Sequence, residues 1–246
     1  MLPAEKQKTR WRFAGKSDVG IAREINEDAF FCDSERGAFL AIADGVGGLE
    51  FGECASAAAI EILKKIFAER SVPADADPDF CAIFKQIDTE IESLGSELVP
   101  GFGIATTLDV AADCGNGKIC FAHIGDAGIF LFRGNEMTML SEEHTLAAAE
   151  RRRGNAEYPV SYVHTLSRAL GMSLNCAPQV FCVELQRGDR ILMATDGIAR
   201  ALPSGEIKGI CTAPAGTPES IANALIAAAN AAGGRDNATA IVAFAE

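Results

Sequence analysis

Apolar positions in this chain come in short runs separated by turn residues, with a few longer stretches of helical period. Residues 11–19, 29–33 and 38–43 mix apolar and aromatic side chains and are cut by turn residues, which predicts three strands. Over residues 51–69 the apolar positions Phe51, Ala55, Ala58, Ala59, Ile62, Leu63, Ile66 and Phe67 keep one face, predicting a helix. Residues 73–78 read as a loop, and Asp77 or Asp79 can cap a second amphipathic helix to about residue 98. Strands are predicted at 105–111, 118–124, 128–133 and 137–140, with Gly115-Asn116 and Gly134-Asn135 as turns. A short helix is expected over 144–153. Strands over 179–185 and 190–195 follow, joined by Arg187-Gly188-Asp189. Helices at 206–211 and 218–232 and a strand at 237–244 close the chain. Strands come in runs rather than alternating with helices, an α+β pattern with mostly antiparallel sheet. Two sheets packed face to face with helices outside would bury this many apolar strands.

With 246 residues, 48 % apolar and 23 % charged, the chain has ordinary globular composition and the length of a single domain, 1–246. Residues 1–12 are polar and basic and are expected to be a loosely ordered segment without a signal peptide. The 34 acids outnumber the 22 basic residues, for a net charge of −12. Such a chain is a poor match for a phosphate backbone, so nucleic acid is excluded as the main partner. No apolar run is long enough to span a bilayer, and no membrane partner is expected. The eight cysteines lack C-x-x-C spacing, and Cys32, Cys120 and Cys182 lie inside apolar strand patterns. They read as reduced, mostly buried small hydrophobes in a cytoplasmic chain, not as zinc ligands.

The candidate chemistry lies in acids at strand ends. Asp44 follows a strand and precedes Gly45-Val46-Gly47-Gly48. Asp196 follows residues 190–195 and precedes Gly197; Asp236 sits in Gly233-Gly234-Arg235-Asp236-Asn237 before the last strand. Asp126 follows the strand at 118–124, and Glu27 and Asp28 precede the strand at 29–33. Carboxylates on rigid strand ends beside glycine suit a site at a sheet edge, and brought together they repel one another unless cations intervene. Oxygen-only ligation selects Mg²⁺ or Mn²⁺. Each Asp-Gly is equally compatible with an ordinary turn, and spacing alone does not bring the acids together.

The stretch Ser17-Asp18-Val19-Gly20-Ile21-Ala22-Arg23-Glu24-Ile25-Asn26-Glu27-Asp28 resembles the opening motif of the metal-dependent (PPM) protein serine/threonine phosphatases, the protein phosphatase 2C family, in its bacterial form. Ala43-Asp44-Gly45-Val46-Gly47-Gly48, Ala105-Thr106-Thr107, Ile124-Gly125-Asp126, Leu140-Ser141-Glu142-Glu143-His144-Thr145, Leu166-Ser167-Arg168-Ala169-Leu170-Gly171, Ala194-Thr195-Asp196-Gly197 and Asp236-Asn237-Ala238-Thr239 are similar to its later motifs, in order. Eight motifs in order cover nearly the whole chain.

The resemblance implies an α-β-β-α sandwich: two packed, mostly antiparallel sheets flanked by helix pairs. It implies hydrolysis of phosphoserine and phosphothreonine in proteins by a hydroxide bridging two metal ions, without a phosphoenzyme. By the same resemblance, Asp44 bridges the ions, the Gly45 carbonyl ligates one, and Asp196 and Asp236 each complete a sphere. Glu27 and Asp28 act through waters, with Asp28 orienting the attacking one. Asp126 matches the acid of a third, weaker ion, Arg23 the phosphate-binding arginine, and Asn237 the residue that fixes the turn presenting Asp236. Val46 stands where many eukaryotic members carry a histidine acid, which leaves a metal-bound water as the proton donor. Ala127 and Gly128 replace the usual Ser-Arg after Asp126 and weaken the match to the third site. Residues 146–163 align with the family's mobile flap; there Arg151, Arg152 and Arg153 form either a solvated helix face or a docking patch for acidic phosphopeptides. His123 and His144 read as packed structural residues, His164 as lying off the site. The expected partners are phosphorylated proteins and a cognate serine/threonine kinase, with the enzyme a monomer. A catalytically silent phosphoprotein-binding regulator and a small-metabolite phosphohydrolase are the competing readings.

Overall fold

A computed structural model describes residues 10–33, 38–46, 51–69, 77–115, 117–171 and 176–246. One sheet has the order β1-β10-β9-β6-β7, formed by β1 (Trp11–Asp18), β10 (Ala238–Ala245), β9 (Arg190–Ala194), β6 (Gly128–Arg133) and β7 (Glu136–Met139). The other has the order β2-β3-β4-β5-β8, from β2 (Asp28–Asp33), β3 (Phe39–Asp44), β4 (Leu108–Asp113), β5 (Lys118–Ile124) and β8 (Gln179–Glu184). Every pairing is antiparallel.

The period-two geometry of a strand divides these residues between two cores. Along β3, Phe39, Ala41 and Ala43 pack under the helices α1 (Gly52–Glu69) and α2 (Phe80–Leu98), while Leu40 and Ile42 face the opposite sheet. Along β10, Ala240, Val242 and Phe244 pack with α4 (Asp196–Ala199), α5 (Ser204–Cys211) and α6 (Pro218–Ala231), while Ile241 and Ala243 face inward. Burial on both faces is why these strands are apolar at nearly every position. Gly15 in β1 meets the opposite sheet directly, and a side-chain carbon there would collide with the Phe30 ring. The layers are helix, sheet, sheet, helix, as the strand runs and the resemblance predicted.

Local signals explain several boundaries. Asp79 caps α2 by accepting from the Ala82 N–H at 3.1 Å, and Thr217 and Ser220 form a capping box on α6. The helix expected from 144 begins later, as α3 (Leu146–Arg152), because Thr145 caps it. The strand expected at 105–111 is displaced to β4, because residues 105–107 bond crosswise to Asp44, Val46 and Leu170. The four-residue α4 and a 3₁₀ turn at Val160–Val163 were not anticipated.

Two expectations are corrected. The eight cysteines are not all reduced: Cys120 and Cys182 are disulfide-bonded, standing directly opposite each other on β5 and β8 with Cα atoms 4.0 Å apart. That register joins positions 62 residues apart and cannot be read from local spacing. In the N-terminal segment, Trp11 and Arg12 already belong to β1, paired with β10. Residues 1–9, the Gly47-Gly48 pair, Asn116 and loop positions 73–76 lie outside the described residues.

In an antiparallel sheet, alternate strands start and finish at the same edge. The start of β2, the end of β3, the start of β4 and the end of β5 therefore share one edge, with Asp28 directly opposite Asp44. In the other sheet, Gly128 opening β6 pairs with Ala194 closing β9, which pairs with Ala240 near the start of β10. This topology, and not sequence spacing, gathers the strand-end acids.

Candidate active site

Backbone and hydroxyl bonds fix the acids where the two sheets meet. The Asp44 N–H donates to Thr107 Oγ1 (3.0 Å), and its carbonyl accepts from the Thr107 N–H (2.8 Å) and the Thr106 hydroxyl (2.9 Å). Those bonds occupy the Asp44 main chain and leave its carboxylate to line the cleft. Asp28 Oδ2 accepts from two hydroxyls of the opposite sheet, Thr195 at 2.9 Å and Thr239 at 2.6 Å. Its other oxygen, Oδ1, is buried with no hydrogen-bond partner. Asn237 holds the loop before β2: its Oδ1 accepts from the Glu27 N–H (2.8 Å), and its Nδ2 donates to the carbonyls of Val19 (2.8 Å) and Ile25 (2.9 Å). At the mouth, Arg23 donates to Glu27 (3.1 Å) and pairs with Asp236 (2.9 Å).

The cleft has a volume of about 360 Å³ and is lined by Arg23, Glu27, Asp44, Gly45, Asp126, Asp196 and Asp236, among others. Seven of the eight core positions singled out in the sequence thus converge, and the eighth, Asp28, packs behind them among the carboxylates that charge Asp44. Burial drives the Asp44 carboxyl well above the ordinary range, reinforced by the charges of Asp28, Asp196, Asp126 and Asp236. Burial also pushes Asp28 and Asp126 up to about 7. Asp196 rises for the same reason against the opposing pull of Arg200, and Glu27 rises through burial.

Crowded, desolvated carboxylates with an orphaned oxygen and no sulfur among them fit hard divalent cations. The direction of the pH effect follows. Unfolded, Asp28 and Asp126 titrate near 3.8; folded without ions, near 7. Their contribution to stability is present at low pH and is lost as pH rises through about 7. Metal-stripped protein should melt at progressively lower temperature as pH rises from about 4 to 7 and level off above that, and added Mn²⁺ should restore stability most at the neutral end. Melting in chelator across that range, with and without ions, checks both.

Two site readings change, and one residue is added. Arg151, Arg152 and Arg153 do not line the cleft or form a free basic patch, because each pairs locally: Arg151 with Glu143 (2.9 Å), Arg152 with Glu142 (3.2 Å) and Arg153 with Glu150 (2.6 Å). His164, expected off the site, lines the cleft. Arg200 was missed altogether, although it pairs with Asp126 at 3.0 Å. Its signal was present, a basic residue four positions after Asp196, but only the unforeseen helix α4 makes that spacing meaningful. Thr195 and Thr239, which hold Asp28, carried no signal beyond their place beside the acids. His123 and His144 are structural, as expected: His123 contacts Asp109 and the Glu142 carbonyl, and the two rings lie 4.8 Å apart beneath the Asp126 turn. A different group, Asp77, Cys114 and Cys120, has donor atoms within 4.8 Å of one another. It lies about 20 Å away toward the other end of β5, with Cys120 spent in the disulfide and Asp77 paired to Lys118.

The family model described as protein phosphatase 2C matches residues 21–231. The serine/threonine phosphatase stp of Listeria innocua is 28 % identical over 236 residues, covering 92 % of this chain and 93 % of that protein. The crystal structure of the PPM Ser-Thr phosphatase MsPP from Mycobacterium smegmatis, in complex with cacodylate, is 31 % identical with a TM-score of 0.79, covering 95 % of this chain and 97 % of its own. The catalytic domain of the serine threonine protein phosphatase PstP, solved in complex with 2 manganese ions, is 27 % identical with the same TM-score of 0.79, over 97 % of this chain and 99 % of its own.

Proposed function

Because the chain belongs to the protein phosphatase 2C family and is a metal-dependent serine/threonine phosphatase, we propose that the convergent acids are its metal centre. Asp44, the Gly45 carbonyl, Asp196 and Asp236 hold two divalent ions, Mn²⁺ or Mg²⁺, with Glu27 and Asp28 acting through water. The observation that carries this reading is the buried, unpartnered Oδ1 of Asp28 beside four strand-end carboxylates. The count of two is supported by the two manganese ions of the PstP catalytic domain. Bound there, the ions neutralise phosphate charge and lower the pKa of water.

The chain's own residues do the rest. Thr195 and Thr239 fix Asp28 so that its free oxygen can orient the attacking water and take its proton. Arg23, at 36 % side-chain exposure, exchanges Glu27 and Asp236 for the incoming phosphoryl group, which its planar fork matches in two-point contact. Gly45 packs its Cα against the Gly52 backbone, where any side-chain carbon would collide, so the chain can pass close to the centre. Val46 supplies no proton, so the leaving alkoxide takes one from water. The substrates are phosphorylated proteins, opposed by a cognate serine/threonine kinase in the cytoplasm, and the enzyme acts as a monomer. No helix among the described residues is long and apolar enough to cross a membrane.

Steady-state rates on phosphothreonine peptides and on a panel of small phosphate esters, with Mn²⁺ present, test the substrate class. The peptide should be preferred, and Arg23→Ala should raise KM and lower kcat/KM about 10- to 100-fold. Stronger turnover of a metabolite would select the small-molecule reading. Peptide binding without turnover would select the silent regulator.

A further inference from the structure

Arg200 follows α4, its N–H bonded to the Asp196 carbonyl (2.9 Å), so its side chain rises beside the metal centre. The guanidinium lies among three acids: Nη2 is 3.0 Å from Asp126, Nη1 3.5 Å from Asp196 and Nε 3.6 Å from Glu143. Its side chain is only 17 % exposed, and that of Asp126 only 9 %. None of its three nitrogens makes a hydrogen bond of proper geometry. An arginine that recognises a carboxylate ordinarily does so through a two-pronged fork. Here the guanidinium is instead surrounded by carboxylates at ion-pair distance, the arrangement of a cation in an acidic cage.

We propose that Arg200 is a tethered cation that occupies the Asp126 flank of the metal centre, so that Asp126 is bound to it and does not ligate a divalent ion. The inference rests on the acid cluster being the metal centre and replaces the third ion implied by the resemblance. The geometry supports it in two ways. Asp126, Asp196 and Glu143 surround one guanidinium, and Arg200 is the basic side chain paired with all three. The bonds that hold the Asp126 turn from below, through the His144 ring and backbone, leave the carboxylate to the guanidinium. On the opposite side Arg23 does the same for Glu27 and Asp236. Arginines thus bracket the cluster, one exposed enough to leave for substrate and one locked in. Arg200 is accordingly a positioning residue: it holds Asp196 through a shared charge and sets how many ions the centre accepts.

The test is the manganese content per chain at equilibrium, read by atomic emission and by titration with electron paramagnetic resonance. It compares the parent with Arg200→Ala, Arg200→Lys, Asp126→Ala, the Arg200→Ala/Asp126→Ala double variant and Asp44→Asn, each checked for folding by circular dichroism. Arg200→Ala should bind one additional, weaker ion per chain. Arg200→Lys should keep the parent count, because the charge is retained. Asp126→Ala should leave the parent count unchanged, and the double variant should lose the additional ion. An unchanged count in Arg200→Ala, or an ion lost in Asp126→Ala, would overturn the assignment of Arg200 while leaving the metal centre intact. A parent that binds no manganese, or an Asp44→Asn that loses none, would instead overturn the metal centre itself. If Arg200→Ala does not fold, Asp126→Ala and Arg200→Lys still decide: loss of an ion in the first, or gain of one in the second, counts against the proposal.

Discussion

Asp44→Asn should lower phosphatase turnover at least 100-fold while making the metal-free protein more stable. The two effects have one cause. Burial and the charges of Asp28, Asp196, Asp126 and Asp236 drive the Asp44 carboxyl upward, so its ionised form costs folding free energy when no cation offsets it. An asparagine is of similar size and leaves untouched the main-chain bonds to Thr106 and Thr107. It removes the charge that holds the ions, and a 100-fold loss corresponds to about 2.7 kcal/mol of transition-state stabilisation. Melting in chelator at about pH 8 should move up, and the further rise on adding Mn²⁺ should shrink. A variant that melts lower than its parent in chelator would mean that Asp44 is held by contacts rather than strained by charge.

Asn237→Ala should damage both stability and activity, through a residue that touches no substrate. Its buried amide satisfies the Glu27 N–H and the carbonyls of Val19 and Ile25, spanning the loop that carries Arg23 and Glu27. Removing it orphans three backbone groups at about 1–3 kcal/mol each, so a loss of about 3 kcal/mol or more is expected in urea unfolding. The loop otherwise leans on the Asp236 turn through the Ile21 and Ala22 N–H groups, both donating to the Gly234 carbonyl at 2.8 and 3.0 Å. With Asn237 gone, Arg23 loses its fixed position, and kcat/KM should fall together with a rise in KM. Unchanged kinetics in a destabilised protein would show that the loop is ordered by those remaining bonds alone.

Much of this architecture was legible because local chemistry and tertiary structure agree. The apolar runs at β5 and β6 match the strands residue for residue, since both faces of each are buried and the turns Gly115 and Gly134 need positive φ of 75° and 60°. The helix starts at α2 and α6 carry their own caps. The acids were visible as a pattern but not as a site, because their convergence depends on which strand ends share an edge. What stayed hidden depends on contacts between distant segments. The Cys120–Cys182 bond follows from register, and the displaced start of β4 from crosswise bonds to Asp44, Val46 and Leu170. Arg200 needed a four-residue helix too short to leave a periodic signal. Two members of the arginine run at 151–153 looked free because Glu143 and Glu142, the partners of Arg151 and Arg152, could be placed only once the turn before α3 was folded.

The central claim is that ions held by these acids perform the hydrolysis. Its most direct measurement is phosphate release from a phosphothreonine peptide by metal-stripped protein as Mn²⁺ or Mg²⁺ is titrated back, with Asp196→Asn in parallel. The parent should be silent in chelator and recover fully with added ion, and the variant should stay at least about 100-fold slower at saturating metal. Undiminished turnover by the stripped parent, or by Asp196→Asn, would contradict the account.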